Sequence, residues 1–160
     1  EAKITDEENL RAVVATVLVE TAHTFQPIHE YGSRQYFTES YWTNEHTRRA
    51  LGNIVPTDAW DYCGKGFIQL TGRNNYEKAA AALNLPLMSK PDLLMQAEPS
   101  ARVLAWFWAT HGLTANCHKV TLFSDRPNRD ETWKQVRRRI NGGANGLAVF
   151  LKDLETLGIR

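Results

Sequence analysis

The chain has 160 residues, a formal net charge of +1, 42% hydrophobic and 23% charged residues, a length and balance that suit one globular domain over residues 1–160, burying roughly two thirds of its unfolded surface. A charge this close to zero excludes a general attraction to nucleic acid, and no apolar run approaches the ~20 residues of a membrane span, so no stable membrane association is expected either. The five histidines form no His-Glu-x-x-His pattern, and Cys63 and Cys117 fit no zinc spacing; no metal or other cofactor is expected, and the cysteines read as free thiols in preference to a disulfide.

The first element opens at Thr5-Asp6-Glu7-Glu8, a capping box with Thr5 as N-cap and Glu8 reaching back to it. Its helix is predicted to run to about Thr24 and to stop before Pro27. At about 100° per residue, Glu20 lies roughly 20° from Val13 and 60° from Val17, on the side of Leu10 and Thr24. A carboxyl half-buried among valines is hard to ionise, because desolvation penalises its charged form. That is how a general acid is made at neutral pH. The competing reading is a salt-bridged structural glutamate.

Residues 26–65, rich in Gly, Asn, Thr and aromatics without a sustained period, read as loops with short strands. Phe67 to Thr71 alternates as a strand does, with Ile68 and Leu70 on one face and Phe67, Gln69 and Thr71 on the other. Beyond Gly72 the chain turns helical: an alanine-rich helix from Asn75 to Leu83, a helical block from Pro91-Asp92, and a helix with Pro99 in its first turn. The run Val103 to Trp108 makes that third helix apolar nearly all round, hence central, and Gly112 ends it. Further helices are predicted from about Glu131 to Ile140 and from about Leu147 to Leu157. Arg126, Arg129, Lys134, Arg137, Arg138 and Arg139 crowd one stretch, read as a solvated helix face or as an aid to holding an anionic polymer. The class is mainly α with a small β element.

Cleaving a glycosidic bond needs an acid for the leaving oxygen and a second carboxylate to activate water or attack the sugar. Glu20 and Glu30 are the candidate pair, with Glu39 in reserve and Glu45 behind it. Gln69 and Thr71 are candidates for lining a groove. Tyr36, Tyr41, Trp42 and Trp60 are available to stack on sugars or to pack a core. No Gly-x-Ser-x-Gly elbow supports a serine nucleophile, and no Gly-Lys-Ser/Thr follows Gly64-x-Gly66 to make a phosphate loop.

Glu20-Thr21-Ala22-His23-Thr24, the block from Gly64-Lys65-Gly66-Phe67-Ile68-Gln69-Leu70-Thr71-Gly72-Arg73 to Asn74-Asn75-Tyr76, and Ile140-Asn141-Gly142-Gly143 resemble three signatures of the family 19 glycoside hydrolases. That family includes plant-type chitinases and bacteriophage endolysins. Gln26-Pro27-Ile28, His29-Glu30-Tyr31-Gly32 and the short loops resemble the endolysin branch; Lys65 stands where the family commonly has arginine. The resemblance implies a lysozyme-like fold of two lobes, with a small β element flanking a central cleft, and no metal. It implies Glu20 as the general acid, Glu30 as the carboxylate activating water, Gln69 and Thr71 as residues binding sugar and orienting that water, and Asn75 and Asn141 as polar cleft residues. The expected partner is bacterial peptidoglycan, cleaved between N-acetylmuramic acid and N-acetylglucosamine, with chitin as the alternative. With no signal peptide read at its start, such an enzyme is expected to act as a monomer, collecting in the host bacterial cytoplasm and reaching the wall through a holin.

Overall fold

The computed structural model describes residues 4, 6–122, 125–143 and 145–158. It is mainly α, as expected, and its contacts divide it into two compact units: Glu1–Phe25 with Ala105–Arg160, and Gln26–Leu104. Among the described residues no helix is long and apolar enough to cross a membrane.

The first unit begins with α1, Glu7–Glu20. Thr5, the expected N-cap, lies outside the described residues; Asp6 is the N-cap, its carboxylate accepting from the Asn9 N–H at 3.0 Å. A carboxylate acceptor one residue later serves the orphan amides of the first turn. The helix stops at Glu20 and not near Thr24. The Thr21 hydroxyl donates to the Val17 carbonyl at 2.6 Å, and Ala22, His23 and Phe25 take positive φ of 49°, 61° and 54°, a left-handed course that no helix of L-residues continues. Helix α6, Ala97–Thr110, enters this unit with Trp108, which is fully buried and donates its indole N–H to the Asn9 side chain at 3.0 Å. Then come α7 (Leu113–His118), α8 (Arg126–Asn141) and α9 (Leu147–Thr156). Helix α8 starts five residues before the expected Glu131, because Asp125 caps it and proline follows in its first turn. Ala12, Ala15, Val17, Leu113, Cys117, Trp133, Val136, Phe150 and Leu154 fill the core.

The second unit departs more from expectation. Residues 34–51 are largely helical where loops were read: α2 (Arg34–Phe37), a π-turn over Thr38–Thr43, and α3 (Glu45–Leu51). Ser33 and Asn44 cap the two helices through their side chains, and Gly52 ends the second with φ of 71°. After α4, Asp58–Asp61, β1 (Ile28–His29) pairs antiparallel with β2 (Lys65–Gly66). Phe67 to Thr71 is not a strand. Lys65 and Leu70 exchange backbone hydrogen bonds at 3.0 and 3.3 Å across a tight turn in which Gln69 has φ of 50°. Phe67, Ile68 and Leu70 are consequently all buried, so the alternation read from sequence does not divide them between two faces. Helix α5, Arg73–Leu83, and a 3-10 turn over Pro91–Met95 follow.

Candidate functional site

The sequence-predicted residues fall into two groups, one in each unit. In the first unit Glu20 is the last residue of α1, its side chain 14% exposed. It is not surrounded by valines alone. Oε1 lies 2.6 Å from Nη1 of Arg137, whose side chain is 3% exposed. Neither atom has an aligned hydrogen-bond partner, so the contact is ionic. A guanidinium beside a carboxylate stabilises the charged form and opposes desolvation, so the expectation of an acid held by apolar burial alone is corrected: Glu20 is partly buried and ion-paired. Arg137 also leaves the solvated face to which the sequence reading assigned it. It shares a helical face with Trp133, Val136 and Ile140, at the spacing that turns side chains inward.

Arg137 is held in turn. Its Nε donates to the Asn145 carbonyl at 2.9 Å, and Asn141 Nδ2 donates to the same oxygen at 2.9 Å. The Asn141 side-chain oxygen accepts from the Gly143 N–H at 3.0 Å. Asn141 thus closes the turn between α8 and α9 that anchors the partner of Glu20. At Gly146 a Cβ would stand 2.8 Å from Val19 and 3.2 Å from Arg137 Nη2, so the backbone approaches the end of α1 as closely as glycine permits.

In the second unit Glu30 follows β1 with every polar group engaged. Its N–H donates to the Gly64 carbonyl at 2.7 Å, and its carbonyl faces His29 Nδ1 at 2.8 Å. Its carboxylate accepts from the Tyr41 hydroxyl at 2.7 Å on Oε1 and from the Gly64 N–H at 2.9 Å on Oε2. Because a carbonyl only accepts, His29 Nδ1 carries the proton in its bond to Glu30. His29 Nε2 in the neutral ring is then the acceptor facing the Cys63 thiol at 3.3 Å. Burial pushes the Cys63 thiol up to about 11, with the Glu30 charge adding to it and Lys65 opposing, so the sulfur stays a thiol donor. Burial, then the Glu30 carboxylate, push the Tyr41 phenol well above the ordinary tyrosine range.

Gln69 stands beside Glu30. Its amide N–H groups donate to the Ile28 carbonyl at 2.9 Å and the Gly66 carbonyl at 3.0 Å, tying the two strands together. Both amide hydrogens are thereby used, so the atom Gln69 has left to offer a ligand is its carbonyl oxygen. A Cβ at Gly64 would lie 2.9 Å from that oxygen and 3.0 Å from Glu30 Oε2. Thr71 Oγ1 donates to the main-chain carbonyl of Gln69 at 2.8 Å, and Asn75 Nδ2 to the main-chain carbonyl of Thr71 at 2.8 Å. Asn75, Thr71 and Gln69 are therefore joined in one hydrogen-bonded chain, and the Gln69 side chain and the Glu30 carboxylate both border Gly64. Glu39 lies apart on the π-turn, exposed, accepting from Gln35 at 2.9 Å, and Glu45 pairs with Arg49 on the surface.

Lys65 is 1% exposed, its ammonium donating to the Asp61 carbonyl at 2.6 Å and lying 3.5 Å from Asp92. Tyr41, Trp42 and Trp60 pack against the Phe37, Ala59 and Cys63 cluster. A surface cavity of about 200 Å³ beside Trp60 is lined by Arg34, Thr38, Pro56, Thr57 and Asp61 and by none of the carboxylates above. Sequence reasoning missed the roles of Tyr41, Gly64 and Arg137. Only Arg137 carried a usable signal, its helical register with Trp133.

Compared with known proteins, residues 3–143 match the model of glycoside hydrolase family 19, described as chitinase class I. Chitinase 8 of Oryza sativa is 34% identical over 121 residues, covering 70% of this chain and 44% of that protein. Acidic endochitinase Q of Nicotiana tabacum is 50% identical over 91 residues, covering 51% and 36%. A glycosyl hydrolase family 19 domain-containing protein of Haemophilus influenzae is 31% identical over 100 residues, covering 62% and 42%. The chain therefore spans less than half the length of these relatives. Chitinase C of Streptomyces griseus superposes with a TM-score of 0.61 at 21% identity, covering 98% of this chain and 62% of that one. At that identity the likeness shows the fold alone, the mainly α, lysozyme-like class.

Proposed function

Since this chain belongs to glycoside hydrolase family 19, we propose that it hydrolyses β-1,4 glycosidic bonds in the glycan backbone of bacterial peptidoglycan, between N-acetylmuramic acid and N-acetylglucosamine, by two-carboxylate catalysis. Glu20 donates its proton to the glycosidic oxygen as the bond from anomeric carbon to oxygen breaks. Glu30 takes a proton from water, whose oxygen bonds to the anomeric carbon, and the configuration inverts. The observation that carries this reading is the Glu30 carboxylate, with a donor fixed on each oxygen and a further lone pair on each. Arg137 supports the role of Glu20 on the far side of the step, by stabilising the carboxylate left once the proton has gone. Gln69 offers its carbonyl oxygen to a sugar N–H or hydroxyl, Thr71 helps to orient the water, and Asn75 and Asn141 are polar contacts for the same glycan.

A second reading, hydrolysis of chitin, is favoured by the names of the rice and tobacco relatives. Two features favour peptidoglycan: the resemblance of Gln26 to Gly32 to endolysins, and the exposed Arg138 and Arg139 on α8, suited to an anionic wall. In the same reading the enzyme acts as a monomer, is made in the host bacterial cytoplasm and reaches the wall through a holin.

Reducing-end analysis of digested peptidoglycan, with chitin oligomers in parallel, tests the choice. New reducing N-acetylmuramic acid ends are expected. Cleavage of chitin alone overturns the preference, and full activity in Glu20→Gln removes Glu20 as the acid.

A further inference from the structure

We infer that Tyr41 is a positioning residue for Glu30: its phenol donates to one carboxylate oxygen and, with the Gly64 N–H on the other, fixes the plane in which the base meets its water. The inference rests on the reading of Glu30 as the base and names a residue that this reading does not require.

A glutamate in a loop ordinarily samples several rotamers, and ordering it costs free energy before it contributes anything. Glu30 is relieved of that freedom at both ends. Its main chain is bound through the Gly64 carbonyl and His29, and its carboxylate is gripped from two directions by Tyr41 at 2.7 Å and Gly64 at 2.9 Å. Donors aimed at an ionised carboxylate are charge-assisted, and they favour the ionised form that a base must have.

Tyr41 is itself held. Its ring stands 5.8 Å from that of Phe37, which is fully buried, and its carbonyl accepts from Asn53 Nδ2 at 3.2 Å. It lies on the π-turn Thr38–Thr43, a helical irregularity that re-aims side chains and recurs at functional sites. The phenol, kept protonated by burial and by the charge it faces, is a donor throughout the range in which a carboxylate works. No other described tyrosine has a hydroxyl bond to a carboxylate.

The test is Tyr41→Phe, which keeps the ring and removes only the donor, beside Glu30→Gln and the double variant. Each is assayed on the glycan that the unaltered chain cleaves, for kcat and KM. Tyr41→Phe is expected to lower kcat about tenfold or more with KM within about twofold. The double variant is expected to match Glu30→Gln alone, since the phenol acts through that carboxylate. An inactive Glu30→Gln together with a Tyr41→Phe of unchanged kcat overturns the positioning role and leaves the base in place. An active Glu30→Gln overturns the base, and with it the reading on which the inference stands.

Discussion

Arg137 and Glu20 face each other at 2.6 Å inside the first unit, the guanidinium more deeply buried than the carboxylate. Removing either partner strands the other charge away from water. Glu20→Gln is therefore expected to lose stability as well as activity, by about 3 kcal/mol, and Arg137→Gln by a similar amount. The double variant should cost clearly less than the sum, because neither charge is then left alone. Urea denaturation of all three gives the coupling directly. A Glu20→Gln as stable as the parent would mean that the pair contributes nothing to the fold.

Gly64 and Gly66 lie two residues apart and should fail in different ways. The atoms nearest a Cβ at Gly64 would be Gln69 Oε1 and the Glu30 side chain. Gly64→Ala is thus expected to fold, with a cost of about 1–3 kcal/mol, while displacing Glu30 enough to lower kcat about 100-fold. Gly66 has φ of 84°, and its Cβ would stand 2.6 Å from Ser100 Oγ and 3.1 Å from the Leu94 carbonyl. Gly66→Ala adds left-handed strain of roughly 1–2 kcal/mol to that overlap and should act mainly on the thermal midpoint. Kinetics and melting curves on both variants separate the two effects.

The contrast between these glycines bears on what could be read in advance. The long helices were legible because periodicity and punctuating residues agree along them: α5 at its alanine-rich run, α6 at Pro99 and Gly112, α9 from Leu147. Residues 34–51 were not, because their helices are short and depend on Ser33 and Asn44 as caps rather than on an apolar stripe. The run from Phe67 to Thr71 carried a strand's alternation, yet packing buries Phe67, Ile68 and Leu70 together and forces Gln69 to a positive φ. The candidate carboxylates were visible as residue types at a motif. Their partners were not, since Tyr41 and Gly64 reach Glu30 from 11 and 34 residues away, distances over which no local pattern reports.

The cap at Asp6 should be visible as a dependence on acidity. Burial works against its charge, but the Asn9 N–H, the His118 ring and the Asn9 side chain outweigh it and bring Asp6 from 3.8 down to about 2. A carboxylate depressed in the folded state contributes stability above its unfolded value, and that contribution fades as pH falls from about 3.8 through about 2. Asp6→Ala is expected to cost about 1 kcal/mol near neutrality. In chemical denaturation at a series of pH values, the gap between parent and variant should narrow across this acid window. A gap unchanged at pH 2 would show that the carboxylate charge is not what caps α1.

Cys63 and Cys117 are both free and fully buried. Burial pushes their thiols up to about 11 and about 12. Because the thiolate is the reactive species, neither should be alkylated by iodoacetamide at pH 8 in the folded protein, and both should react within minutes in guanidinium chloride. Mass spectrometry before and after denaturation counts them. Rapid labelling of Cys63 in the native state would mean that its contact with His29 opens readily.

One carbonyl, that of Asn145, receives donors from both Arg137 and Asn141, and this bears on any attempt to exchange segments between this chain and its longer relatives. The turn between α8 and α9 looks like a convenient splice point, yet Asn145 within it braces the cation that meets position 20. A transplanted segment of different length there would act on the acid through two intervening bonds without touching it, so chimeras cut at that corner should lose turnover even where they fold.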